Sequence, residues 1–147
     1  MRISTKGRYG LRALVDLASN VQEGAVSLIN VAQRQKISLN YLEQVFATLR
    51  KAGIVKSQKG AQGGYMLAKQ PEKIKVGEIL TALEGKFSII DEVHEKEEQD
   101  ALQSAIQELV WDRINYSIQG FLEERTLAEL VEQYESLHSA DQWMYYI

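Results

Sequence analysis

Asn40 and Gln44 each carry a hydrogen-bond donor and an acceptor on one planar tip, the pattern that pairs bidentately with the edge of adenine in a DNA major groove. Four residues apart, they share a helix face with Ala47, Thr48 and Lys51, flanked by Tyr41 and Glu43. Small Ala47 lets the backbone approach a partner closely. Arg50, Lys51 and Lys56 are cations able to neutralise phosphates beside that face. The loop Lys59-Gly60-Ala61-Gln62-Gly63-Gly64 follows, and its Lys59 and Gln62 could reach a minor groove or a phosphate. Alone, such a face is equally an ordinary solvated helix surface. The basic hairpin that follows it tilts the reading towards nucleic acid. The glycine-rich loop is not a nucleotide cradle, because it lacks a Gly-Lys-Ser/Thr ending and leads into a strand instead of a helix.

Other chemistries have little to stand on. There is no cysteine, so disulfides, thiolate nucleophiles and any zinc or iron–sulfur site held by this chain's cysteines are excluded. No serine, histidine and carboxylate arrangement or paired carboxylates in a recognisable turn support catalysis, so the chain is not expected to be an enzyme. His94 among Glu92, Glu95 and Glu98 resembles a metal-ligand group, yet a single histidine in a charged loop is more often simply solvated, and His138 offers less. No cofactor is expected. Charge is strongly divided: residues 1–75 hold 13 Lys and Arg against 4 Asp and Glu, a net +9, while the remainder carries a net −12. A basic half that meets a polyanion and an acidic half that does not would produce this split. No apolar run reaches the roughly 18 residues that span a bilayer, and the N-terminus opens with charges where a signal peptide would be apolar. The expectation is a soluble cytoplasmic protein with no membrane partner.

The elements that must position these residues follow from periodicity. Leu11, Leu14, Val15, Ala18 and Val21 predict a first helix from Lys6 to Gln22, ended by Gly24. Ser27 caps a short second helix that ends near Lys36, and Ser38 caps a third from Leu39 to about Ala52. On the third, Leu39, Leu42, Val45, Phe46 and Leu49 fall within about a 120° arc, the width of a core-facing stripe. Ile54–Gln58 and Tyr65–Ala68 read as a hairpin, and Val76 to Glu84 as a fourth helix bounded by Pro71 and Gly85. Three helices and a hairpin in this order make a winged helix-turn-helix in a mainly α protein.

After the acidic stretch Asp91–Asp100, a long helix to about Leu122 carries Leu102, Ile106, Leu109, Val110, Trp111, Ile114, Ile118, Phe121 and Leu122 over more than half its circumference. One neighbour cannot cover that arc, so a two-fold dimer is expected. Its contacts would come from Leu102, Ile106, Leu109, Val110 and Phe121, with Arg113 alongside. Burial wholly within one chain is the alternative. Thr126-Leu127-Ala128-Glu129 has the capping-box pattern for a last helix, and Trp143-Met144-Tyr145-Tyr146-Ile147 is too apolar for a loose tail. The expected organisation is a winged-helix domain over 1–85, an acidic loop over 86–100, and a dimerisation helix with C-terminal helix over 101–147.

Four ordered blocks resemble the Rrf2 family of bacterial regulators: Met1 to Gly10, Ile37 to Gln44, Leu49 to Val55, and Lys59 to Tyr65. The resemblance is strong to about Gly85 and looser beyond. It implies a winged-helix homodimer on a palindromic operator, with Ser38, Asn40, Tyr41, Glu43 and Gln44 at base edges. It further implies Lys6 and Tyr9 near phosphates and the wing, Lys59 to Gly63, in the minor groove. Two departures stand out. Lys59 replaces an arginine common in the family's wing and cannot make its planar fork, and the segment that holds three cysteines in cluster-binding members here reads Asp-Glu-Val-His-Glu-Lys-Glu-Glu-Gln-Asp. The cysteine-free loop and aromatic C-terminus look most like the family's cysteine-metabolism repressors, in which a partner, cysteine synthase, supplies the signal. The expected function is a sequence-specific DNA-binding transcription regulator, a repressor in sense, working without an iron–sulfur cluster; the alternative is a winged helix that docks an acidic protein surface.

Overall fold

The computed structural model describes residues 2–21, 24–61, 63–86 and 100–145. Helix α1 spans Thr5–Ser19, with the Ser4 hydroxyl accepting from the Gly7 N–H. It stops short of the expected Gln22, which lies outside the described residues. Asn20 ends it: its side-chain amide donates to the Asp16 carbonyl (2.7 Å), and its own N–H turns back to Leu17, the local competition with the helix ladder that makes asparagine a poor interior residue. Val21 therefore leaves the helix but still packs on the core.

Helix α2, Leu28–Gln35, is capped by Ser27 and ends at Lys36, whose left-handed backbone (φ 55°) makes the turn into α3, Leu39–Lys51. Ser38 caps α3 as expected, and Leu42, Val45, Phe46 and Leu49 are all buried, with Leu39 at the edge. Strands β1, Val55–Gln58, and β2, Gly64–Leu67, pair antiparallel with Val55 opposite Leu67. The hairpin is offset slightly from the expected runs, since Ile54 and Ala68 lie just outside the paired strands. The Ile54 N–H still bonds the Leu49 carbonyl of the helix end, and the Ile54 carbonyl accepts from Ala68. A third segment joins the hairpin at Val26, which exchanges two backbone hydrogen bonds with Tyr65 (2.8 and 2.9 Å). A Cβ at Gly64 would lie 2.2 Å from the Val26 carbonyl oxygen, so this seam requires glycine there.

After a 3-10 turn at Pro71–Lys73, α4 occupies Val76–Glu84 as expected and packs on α1, where Gly10 admits Leu83. The long helix is interrupted: α5, Ala101–Ile106, passes through a π turn, Gln107–Trp111, into α6, Asp112–Glu124. Periodicity alone does not show that turn. Asp100 caps α5 through its carboxylate (2.6 Å to the Gln103 N–H). The final helix α7, Leu127–Tyr145, starts where Lys75 and Thr126 form an isolated bridge. Thr126 caps it, but the Glu129 carboxylate pairs with Arg125. Leu127 drops into the main core beside the residues of α1 to α4. The C-terminal helix is thus tied to the N-terminal half, although Trp143 (73% exposed) and Met144 (76%) face solvent in the single chain.

Candidate nucleic-acid interface

The buried stripe of α3 dictates what its other side offers. With Leu42, Val45, Phe46 and Leu49 packed inward, Asn40, Glu43, Gln44 and Lys51 are exposed, and Ala47 and Thr48 are half-buried between them. The Thr48 hydroxyl is engaged by the Gln44 carbonyl (3.2 Å), whereas the Gln44 side chain projects outward. Ser38 is exposed and its hydroxyl oxygen serves the helix as a cap. Its hydroxyl proton remains available to an outside acceptor.

Two further elements flank this face. The first turns of α1 approach it through Tyr9, whose ring meets the Tyr41 ring edge-on (centroids 6.3 Å, 82°), and the Arg8 guanidinium lies 6.0 Å from the Tyr9 ring centre. Lys6 is half-buried one turn away, and Tyr9 is partly exposed. On the other side, Arg50 and Lys51 at the end of α3, Lys56 on β1 and Lys59 at the hairpin turn are all exposed. Gln62, the second tip residue singled out by the sequence, lies outside the described residues. The turn itself is tight, with the Gly63 N–H bonded to the Gly60 carbonyl (3.0 Å). A Cβ at Gly63 would stand 2.4 Å from the Gln58 carbonyl, and Gly60 has φ 119°. These glycines shape the hairpin before they serve any partner.

Two networks behind the face were not anticipated. Asp16, 4% exposed on the core side of α1, accepts two close bonds from Arg34 (2.7 and 3.0 Å) and one from Gln35 (2.7 Å), and Gln35 in turn accepts from Arg12 (2.7 Å). The Asp16 hydrogen bonds hold the Arg34 guanidinium above its ordinary pKa against the desolvation that would lower it. This cluster welds α1 to α2 and engages Arg12 of the first helix. A carboxylate inside an otherwise apolar stripe (Ala13, Leu14, Leu17, Ala18) was its sequence signal. The second network joins Glu84 to Ser4 and Gly7.

A polar reading face on the second helix of a helix-turn-helix, a cationic helix end on one side and a basic hairpin on the other form a winged-helix DNA-binding surface. Residues 3–133 match the Rrf2 family, described as an iron-dependent transcriptional regulator. The chain belongs to the Rrf2 family. The similar curated proteins include the HTH-type transcriptional regulator CymR of Bacillus subtilis, 43% identical over 147 residues and covering the full length of both chains. They also include the HTH-type transcriptional regulator IscR of Serratia proteamaculans, 40% identical over 96% of this chain and 85% of that one. Among solved structures, that of B. subtilis CymR, the global cysteine regulator, superimposes with a TM-score of 0.78 at 43% identity, covering 90% of this chain and 98% of that chain. This Rrf2 protein is accordingly a DNA-binding transcriptional regulator with a winged helix, and not an enzyme.

Among the described residues of this Rrf2 chain, no donor set fits the iron named in the family's description. No cysteine exists to supply a thiolate, and no group of three or more His, Asp or Glu is gathered among the described residues. His138 stacks on Tyr134 (5.5 Å) in α7; His94 and its carboxylates lie outside the described residues. None of the described helices is long and apolar enough to cross a membrane.

Proposed function

We propose that this Rrf2 protein is a homodimeric, cytoplasmic repressor that reads a palindromic operator through α3 and works without an iron–sulfur cluster. The outward polar face of α3, set between the cations of α1 and of the hairpin, is the observation that carries the reading. Ser38, Asn40, Tyr41, Glu43 and Gln44 meet base edges; Lys6, Tyr9, Arg50, Lys51 and Lys56 meet phosphates; Lys59 and Gln62 follow the minor groove. The exposed apolar side chains of α5 and α6, with Arg113 beside them, meet a second copy, which doubles the half-site. Similarity to the global cysteine regulator of B. subtilis supports cysteine metabolism as the regulated process, and the resemblance to the family's cysteine-metabolism repressors motivates a protein partner such as cysteine synthase as the source of the signal.

The test separates reading from holding. Gln44→Ala weakens binding to an operator selected from genomic DNA by about 1 to 3 kcal/mol while binding to random duplex hardly changes. Lys56→Ala lowers affinity for both duplexes together and reduces the slope of log affinity against log salt by about one. Equal weakening of both duplexes by Gln44→Ala removes α3 as the reader. No effect from either substitution favours the protein-docking alternative.

A further inference from the structure

Glu84, the last residue of α4, is assigned no part in the interface, yet its carboxylate organises the first turn of α1. Oε1 accepts from the Ser4 N–H (3.0 Å), from the Gly7 N–H (3.0 Å) and from the Ser4 hydroxyl. Two backbone donors at the start of α1 are thus met by an acceptor 77 or 80 positions further along the chain. The negative charge also faces the positive end of the helix dipole. The contact depends on glycine: a Cβ at Gly7 would stand 2.2 Å from Glu84 Oε1, and one at Gly10 would stand 2.5 Å from Leu83 Cδ1. The first two turns of α1 therefore lie directly on the end of α4, and on those turns sit Lys6, Arg8 and Tyr9, the last edge-on to Tyr41 of α3.

We propose that Glu84 is a positioning residue for DNA binding: by fixing the first turn of α1 it aims Lys6 and Tyr9 at the backbone of the duplex that α3 reads. This rests on the assignment of Lys6 and Tyr9 to phosphates. Simple electrostatics predicts the opposite sign. A carboxylate beside the cationic helix end repels phosphate, so its removal on charge grounds alone should tighten binding and steepen the salt dependence. Positioning predicts weaker binding with a shallower slope.

The experiment titrates full-length wild type, Glu84→Ala, Glu84→Gln, Gly7→Ala and Lys6→Ala against a fluorescent random duplex over a range of salt, with melting curves for each. Releasing one phosphate from the protein lowers affinity at about 0.15 M salt roughly five-fold and reduces the slope by about one. Glu84→Ala shows that change. Glu84→Gln removes the charge but keeps an acceptor oxygen in place, so its affinity and slope are at least those of the wild type. Gly7→Ala, whose methyl displaces the carboxylate, follows Glu84→Ala although alanine is the better helix former. If Glu84→Ala does not fold, Gly7→Ala against Glu84→Gln carries the comparison. Unchanged or tighter binding by Glu84→Ala, or a Glu84→Gln as weak as Glu84→Ala, overturns the proposal. Lys6→Ala locates the failure: a reduced slope there with an unchanged one in Glu84→Ala defeats the positioning role alone, whereas an unchanged slope in Lys6→Ala defeats the phosphate assignment and the proposal with it.

Discussion

Replacing Leu109 by aspartate should split the proposed dimer without unfolding the chain. Leu109 is 64% exposed in the single chain, in company with Leu102 (71%), Phe121 (56%), Ile106, Val110 and Ile114. Full burial of a leucine side chain is worth about 2 kcal/mol, so covering the exposed part of this one contributes about 1.3 kcal/mol per copy. Two-fold symmetry counts it twice, about 2.6 kcal/mol. Aspartate adds two unpaired carboxylates to a desolvating surface, which costs several kcal/mol more. A combined loss of at least about 5 kcal/mol weakens dimerisation by more than about a thousandfold. Because Leu109 faces solvent in the monomer, far-UV circular dichroism should still show a helical protein. Sedimentation equilibrium at micromolar concentration should give twice the chain mass for wild type and the single-chain mass for Leu109→Asp. A wild type at the single-chain mass, or a Leu109→Asp variant that dimerises with wild-type affinity, refutes the assignment of this face.

The Arg34→Ala variant leaves buried Asp16 with only Gln35 as a side-chain partner and should lower stability by about 2 kcal/mol in urea unfolding, a figure kept below that of a fully buried pair because Arg34 is 41% exposed. Gly64→Ala forces a methyl against the Val26 carbonyl and should cost about 2 to 3 kcal/mol, with faster hydrogen exchange at the Val26 and Tyr65 amides that form the bridge. Thr126→Ala removes the cap of α7 and should cost about 1 kcal/mol, read as a lower melting temperature. Anaerobic incubation with iron and sulfide should produce no visible absorption band, since the chain has no thiolate to hold a cluster.

Where one local rule governs an element, the sequence was enough to place it. Ser27 and Ser38 cap the helices they precede, Val76–Glu84 falls between Pro71 and Gly85 as expected, and the stripe from Leu42 to Leu49 is buried. Errors lie where two rules compete. Val21 continues an apolar period, but Asn20 bonds back on the helix and ends it first. The end of α2 near Lys36 falls where expected, although its turn is left-handed without a glycine. The outer face of α3 was legible because its inner face was. The groups that orient the site were less so: Glu84 and Ser4 are 80 positions apart, and no periodicity links a carboxylate at the end of one helix to backbone donors at the start of another.

The π turn at Gln107–Trp111 gives the long helix an unusual tolerance. A π turn closes its hydrogen-bonded ring with one residue more than an α turn, as the Asp112 N–H does on the Gln107 carbonyl. That stretch therefore contains a surplus residue relative to a plain helix joining α5 to α6. Losing one there, Glu108 for instance, lets the ladder close in α form with the faces on either side still in phase. Losing one from α6, such as Ser117, would instead swing every later side chain by about 100°, carrying Leu122 off the seat it shares with Val76 and Leu80. The gene could thus lose a codon at that single turn and keep both the seat against α4 and the outward apolar stripe, whereas the same loss one turn further on would disrupt both.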